Sequence, residues 1–130
     1  MIMRLSILVF FIMALNLALF GQTRTCQSLH VGTFKATSKE RGITIIKRTK
    51  NSQVEENNYL GYKLAFDITW TSDCTYELRL RQVIKGDPAI YEGKYVLKIR
   101  IKQIKKNSYT TENSSTFSDE ITYHEILIVQ

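Results

Sequence analysis

Beyond residue 22, apolar and polar residues alternate one by one along most of the chain, and no useful length of it carries apolar residues at helical spacing. The clearest run is Tyr62–Trp70. Successive side chains of an extended strand point to opposite faces, so Tyr62, Leu64, Phe66, Ile68 and Trp70 share one face and Lys63, Ala65, Asp67 and Thr69 the other. Thr75–Val83 repeats the pattern, with Tyr76, Leu78 and Leu80 inward and Glu77, Arg79 and Arg81 outward. In Tyr95–Gln103, Tyr95, Leu97, Ile99 and Ile101 point inward and Val96, Lys98, Arg100 and Lys102 outward. Three half-buried strands in a row predict an antiparallel meander.

Weaker alternation predicts further strands at Gly32–Ser38, Ile43–Thr49, Ser52–Asn57, Tyr109–Asn113 and Glu120–Val129. Turn-forming residues separate them, among them Arg41-Gly42, Lys50-Asn51, Asn57-Asn58, Ser72-Asp73 and Lys106-Asn107. The link Lys85–Gly93 holds the only proline and is long enough for a short helical turn. In the last strand Ile121 and Tyr123 fall on one face but Ile126 and Ile128 on the other, which predicts a bulge or burial on both sides and turns His124 to water. The expected fold is all-β: an antiparallel up-and-down meander of seven or eight strands. An open sheet of that size leaves two sticky edges, and closure removes them, so the expected form is a lipocalin-like barrel or half-barrel.

The amino terminus departs from this pattern. Met1-Ile2-Met3-Arg4 precedes an apolar run, Leu5 to Phe20, interrupted only by Ser6 and Asn16 and followed by Gly21. A basic start, an apolar middle and a small final residue are the parts of a cleavable secretory signal. The run is shorter than the roughly 20 residues that cross a bilayer as a helix, so no permanent transmembrane segment is expected after processing. Residues 1–21 are therefore read as a signal peptide and 22–130 as a single β domain, secreted or periplasmic. In an oxidising compartment the only two cysteines, Cys26 and Cys74, are expected to form one disulfide.

A hydrophobic fraction of 44%, with seven Tyr, six Phe and one Trp, excludes a disordered chain. The net charge is +6, and losing Arg4 with the signal lowers it by one. Much of the excess falls on one expected outer face, formed by Arg79, Arg81, Lys98, Arg100 and Lys102. Such a face can meet an anionic envelope surface or partner. Nucleic acid is a poor fit, because binding it calls for aromatics interleaved with the basic residues, and here the aromatics point inward.

The motif Cys26, Gly32-Thr33-Phe34, Arg48-Thr49, Gln53-x-Glu55, then Ile68-Thr69-Trp70-x-x-Asp73-Cys74-x-Tyr76 resembles a family of short secreted bacterial proteins whose biochemical role is not established. The likeness covers about residues 26 to 80 and fades from Val83 onward. Some members carry the label of DNA topoisomerase IV. That label does not carry over, since a chain of 130 residues has no room for a nucleotide-binding or strand-cleaving domain.

If Lys50-Asn51 forms a two-residue turn, Arg48 lies opposite Gln53 and Ile46 opposite Glu55, which makes Arg48 and Glu55 diagonal neighbours on one face. Inside a barrel these charges must pair, meet water or meet a ligand. The pattern thus predicts a ligand cavity lined by Arg48, Gln53, Glu55, Phe66, Ile68, Trp70, Leu78, Leu97 and Ile99. Its expected occupant is a small apolar or amphipathic molecule. No nucleophile elbow, zinc-helix motif or phosphate loop is present, and no metal or cofactor is implied. The expected function is a non-catalytic binding module; the alternative is an envelope interaction protein that uses the basic outer face.

Overall fold

The computed structural model describes residues 23–91 and 96–129. The expected signal peptide, and Tyr95 with its expected inward position, lie outside the described residues.

Eight strands form a closed antiparallel barrel in sequence order: β1 Gly32–Ser38, β2 Gly42–Arg48, β3 Ser52–Asn57, β4 Tyr62–Trp70, β5 Thr75–Lys85, β6 Leu97–Ile104, β7 Ser108–Ser115 and β8 Thr122–Val129. Each strand pairs with the next, and β1 closes the barrel on β8 through Thr33↔Val129 and Phe34↔Ile128. Two short 3-10 segments complete the fold, Gln27–Leu29 before β1 and Pro88–Tyr91 in the β5–β6 link.

Alternation fixes which side chains face inward. Phe34, Ile46, Leu64, Phe66, Ile68, Tyr76, Leu78, Ile99, Ile101, Tyr109 and Ile126 make one buried cluster. The two-residue turn at Lys50-Asn51 is closed by the Thr49 N–H donating to the Ser52 carbonyl at 2.9 Å, and it sets Arg48↔Gln53 and Ile46↔Glu55 in register. The last strand differs from expectation. β8 pairs with β7 without a break from Asn113↔Thr122 to Ser108↔Leu127, so Tyr123 turns outward at 68% exposure, Thr122 and Ile126 turn inward, and His124 on their side lines the open cavity while staying exposed to water, as expected. Continuous ladder hydrogen bonding to β7 overrides the apolar phase of Ile121 and Tyr123. The irregularities fall elsewhere, in the β4–β5 and β6–β7 ladders.

The two ends of the barrel differ. At one end the Gln27–Leu29 segment folds under the strands, with Leu29 only 1% exposed, and the Cys26–Cys74 disulfide ties it to the β4–β5 turn. At the other end, towards the β1–β2, β3–β4 and β7–β8 connections, the barrel opens in a mouth. Asn57 joins two of them: its side-chain amide donates to the Arg41 carbonyl at 2.7 Å, and its Oδ1 accepts from the Leu60 N–H at 2.8 Å. Among the described residues no helix is long and apolar enough to cross a membrane.

Candidate functional site

The inside of the barrel is not filled. A cavity of about 370 Å³ runs inward from the mouth. Ala36, Ile46, Leu78, Leu97, Ile99 and Ile126 give it apolar walls, whereas Thr111, Asn113, Thr122 and His124 line the β7–β8 side with polar groups. At its floor lie Arg48, Gln53, Glu55, Tyr76 and Tyr109.

Arg48 organises that floor. It is the last residue of β2, its side chain points inward, and it is 2% exposed. Nε donates to Gln53 Oε1 at 2.8 Å, Nη1 to the Leu29 carbonyl at 2.7 Å, and Nη2 to the hydroxyls of Tyr76 at 3.0 Å and Tyr109 at 3.3 Å. The guanidinium also lies over the Phe34 and Tyr76 rings, 4.6 and 4.9 Å from their centroids. A cation buried among aromatic faces and dipoles is tolerated because each contact replaces part of its lost hydration.

Gln53 extends the chain of bonds. Its Nε2 donates to Glu55 Oε1 at 2.9 Å, so the charges of Arg48 and Glu55 are joined through one amide rather than by a direct ion pair. Glu55 keeps some exposure, but only towards the cavity, so its surroundings are far less polar than bulk water. Burial raises its pKa; the Gln53 bond and the Arg48 charge oppose that rise only in part. Burial likewise raises the phenols of Tyr76 and Tyr109, against the lowering effect of Arg48.

The residues expected to form the site divide into two groups. Arg48, Gln53, Glu55, Leu78, Leu97 and Ile99 line the cavity, whereas Phe66, Ile68 and Trp70 do not. Phe66 and Ile68 are packed in the core, 3% and 6% exposed. Trp70 lies at the closed end of the barrel, stacked on His30 with ring centroids 3.5 Å apart and 4.5 Å from the Tyr76 ring. All three share the inward face with the cavity residues, but β4 carries them towards the plugged end, where space is taken. Tyr109, Thr111, Asn113 and His124 are lining residues that the sequence reading did not single out. The alternation Tyr109, Thr111, Asn113 was visible, but its mostly polar inward face gave no reason to place it against a core.

Phe34, Arg48, Gln53, Glu55, Trp70 and Tyr76, drawn from the spaced motif of the sequence, converge at this closed half, within a few ångströms of the Arg48 guanidinium or joined to it by bonds. Comparison with family models, curated proteins and solved structures gives no match.

The outer basic face is compensated in part, with Lys98, Arg100 and Lys102 in no close ion pair among the described residues. Arg79 pairs with Glu77 at 3.0 Å and Arg81 with Asp67 at 3.3 Å, while Lys98 stands opposite Glu77 and Arg100 opposite Glu112. Like charges do not face each other in the β5–β6 ladder, because it ends at Leu78↔Leu97, before Arg79 and Arg81. A groove of about 270 Å³ outside the barrel touches Lys98, Arg100 and Glu112, but every charged group along it is at least partly exposed. Among the described residues no cluster of His, Cys, Asp or Glu is placed to hold a metal ion.

Proposed function

We propose that this protein is an exported binding module that holds a small amphipathic molecule inside its barrel, polar end inward. The observation that carries the reading is the combination of an open cavity with a hydrogen-bonded Arg48–Gln53–Glu55 floor. Small-molecule sites combine apolar walls with a few fixed polar groups in this way. Two features support export: the basic, apolar and small-residue order of Met1 to Gly21, and the Cys26–Cys74 bridge, a bond that persists in oxidising compartments. We assign binding rather than turnover, because Arg48 is committed to four structural bonds and the floor phenols are held away from the ionised state that a base needs. The acids that face Arg79, Arg81, Lys98 and Arg100 make the basic outer surface the weaker reading.

Native mass spectrometry of the protein purified from its own host tests this. The expected spectrum shows a small molecule that leaves on denaturation, with the chain starting at Gln22. A bare mass, together with unchanged barrel stability on adding lipid-like and polar metabolite extracts, argues against a ligand cavity.

A further inference from the structure

The floor of the cavity holds one buried cation whose bonds all go to neutral acceptors. Leu29 supplies a carbonyl, Gln53 an amide oxygen, and Tyr76 and Tyr109 their hydroxyls. A hydroxyl that accepts from a guanidinium still has its own proton to give. Tyr76 and Tyr109 accept from the same Nη2, and neither donates to a protein acceptor among the described residues. Tyr76 keeps 4% exposure and Tyr109 none, so the Tyr76 proton is the one left for an occupant of the cavity, and hydrogen bonds from the cation polarise both hydroxyls. Glu55 spends Oε1 on Gln53, and Oε2 has no protein partner among the described residues. The floor therefore offers the Tyr76 hydroxyl as a donor backed by a positive charge, with Tyr109 on the same guanidinium nitrogen, beside one carboxyl group.

We propose that this floor receives the carboxylate of a small ligand with a short apolar tail, held by the hydroxyl of Tyr76 with Glu55 as a second partner. The inference rests on the ligand-cavity reading above and adds the chemistry of the buried end. Where Glu55 is ionised in the empty barrel, it balances Arg48. A second carboxylate on the same floor leaves one anion too many, so one of the two takes a proton from solvent. Glu55 is the one that yields, because its burial already favours the neutral form. Protonated Glu55 then donates to the ligand carboxylate, a short charge-assisted bond, and the ligand replaces Glu55 as counter-charge to Arg48. The titratable and charged groups that share the cavity with Glu55 are Arg41, Arg48, Tyr62, Tyr76, Tyr109 and His124. From β1 and β6 the lining residues are Ala36, Leu97 and Ile99, none of which titrates. The apolar walls at Ile46, Leu78, Leu97 and Ile99 take the tail.

The test uses three probes with one tail and different heads: octanoate, octanol and octylammonium. Calorimetric titration of the purified protein between about pH 6 and about pH 8 keeps the octanoate head ionised. Octanoate is expected to bind tightest, with one proton taken up per ligand and affinity falling by up to about tenfold per pH unit as pH rises. Glu55→Gln is expected to abolish that slope and to bind octanoate at least as tightly as wild type at the high end. His124→Gln, which removes the imidazole on the cavity wall, is expected to keep the slope. Tighter binding of octylammonium than of octanoate, or an unchanged slope in Glu55→Gln, overturns the inference. Binding of octanol or octylammonium without octanoate overturns it alone and leaves the cavity reading standing. If none of the three binds, both fall.

Discussion

Replacing Arg48 with Met removes the donor on which the closed half of the barrel is built. The Leu29 carbonyl and Gln53 Oε1 lose their partner, and both residues are too buried to turn to water, at 1% and 2% exposure. A stranded buried acceptor costs about 1–3 kcal/mol. The Tyr76 and Tyr109 hydroxyls, on residues 4% and 0% exposed, also lose the guanidinium, but each keeps its own proton and can turn it to another acceptor, so they add less. Glu55 loses the positive charge that offsets part of its burial. Methionine fills much of the same space, which keeps the packing loss small. The sum is about 3–5 kcal/mol, the range for removing one member of a buried polar pair. A triple variant, Arg48→Met with Gln53→Leu and Glu55→Leu, removes the Gln53 and Glu55 groups and strands only the Leu29 carbonyl, so it is expected to lie about 1–3 kcal/mol below wild type, above the single variant. Urea unfolding followed by far-UV circular dichroism measures both, with emission from the single tryptophan, Trp70, as a second probe. Equal midpoints for wild type and Arg48→Met, or a triple variant weaker than the single one, refute this account of the floor.

Three further outcomes follow from the same coordinates. Replacing Cys26 and Cys74 together by Ser opens a loop of 48 residues of separation and is expected to cost about 4 kcal/mol by chain entropy; a thermal midpoint that does not respond to the change counts against it. Gly42 and Gly61 both have φ of +73°, but a Cβ at Gly42 meets the Tyr59 Cβ at 2.8 Å, whereas one at Gly61 meets nothing within 4 Å. Gly61→Ala should therefore cost about 1–2 kcal/mol and Gly42→Ala clearly more, and equal losses in urea melts contradict the contact. Because the folded state raises the Glu55 pKa above its ordinary value of 4.5, it binds that proton more tightly than the unfolded chain. Stability from this group is present below that value and lost as pH rises through the folded-state pKa. Glu55→Gln should flatten that part of the stability–pH curve, and an unaltered curve assigns the dependence to other groups.

The sequence made the barrel legible where one face is apolar throughout. Tyr62, Leu64, Phe66, Ile68 and Trp70 announce β4 because burial selects each of them for the same side. The Arg48↔Gln53 and Ile46↔Glu55 pairings were legible from a short turn, since a two-residue link leaves one register. The depth of each inward residue along the barrel axis was not. Alternation states the face, not the height, so Trp70 at the plugged end and Leu97 at the cavity wall look alike in sequence. Tyr123 in β8 departs from expectation for a related reason: it is a large aromatic on the outside, while the inward side of that strand end meets a water-open cavity instead of core, where His124 stays exposed as expected.

Seven of the eight ladders of the barrel join strands that are neighbours in sequence, and only the β1–β8 ladder joins the first strand to the last. The seven can form as hairpins while the chain is still incomplete. The eighth has to wait for Leu127, Ile128 and Val129 to reach Lys35, Phe34 and Thr33. Until then the outer edges of β1 and β8 are both unpaired templates for another chain. The closing step is also the slowest in topological terms, because it spans nearly the whole domain. Damage confined to the last few residues of β8 therefore acts on the entire ring: it leaves a rolled but open sheet with two adhesive rims, so that the symptom of a small C-terminal lesion is self-association rather than local fraying.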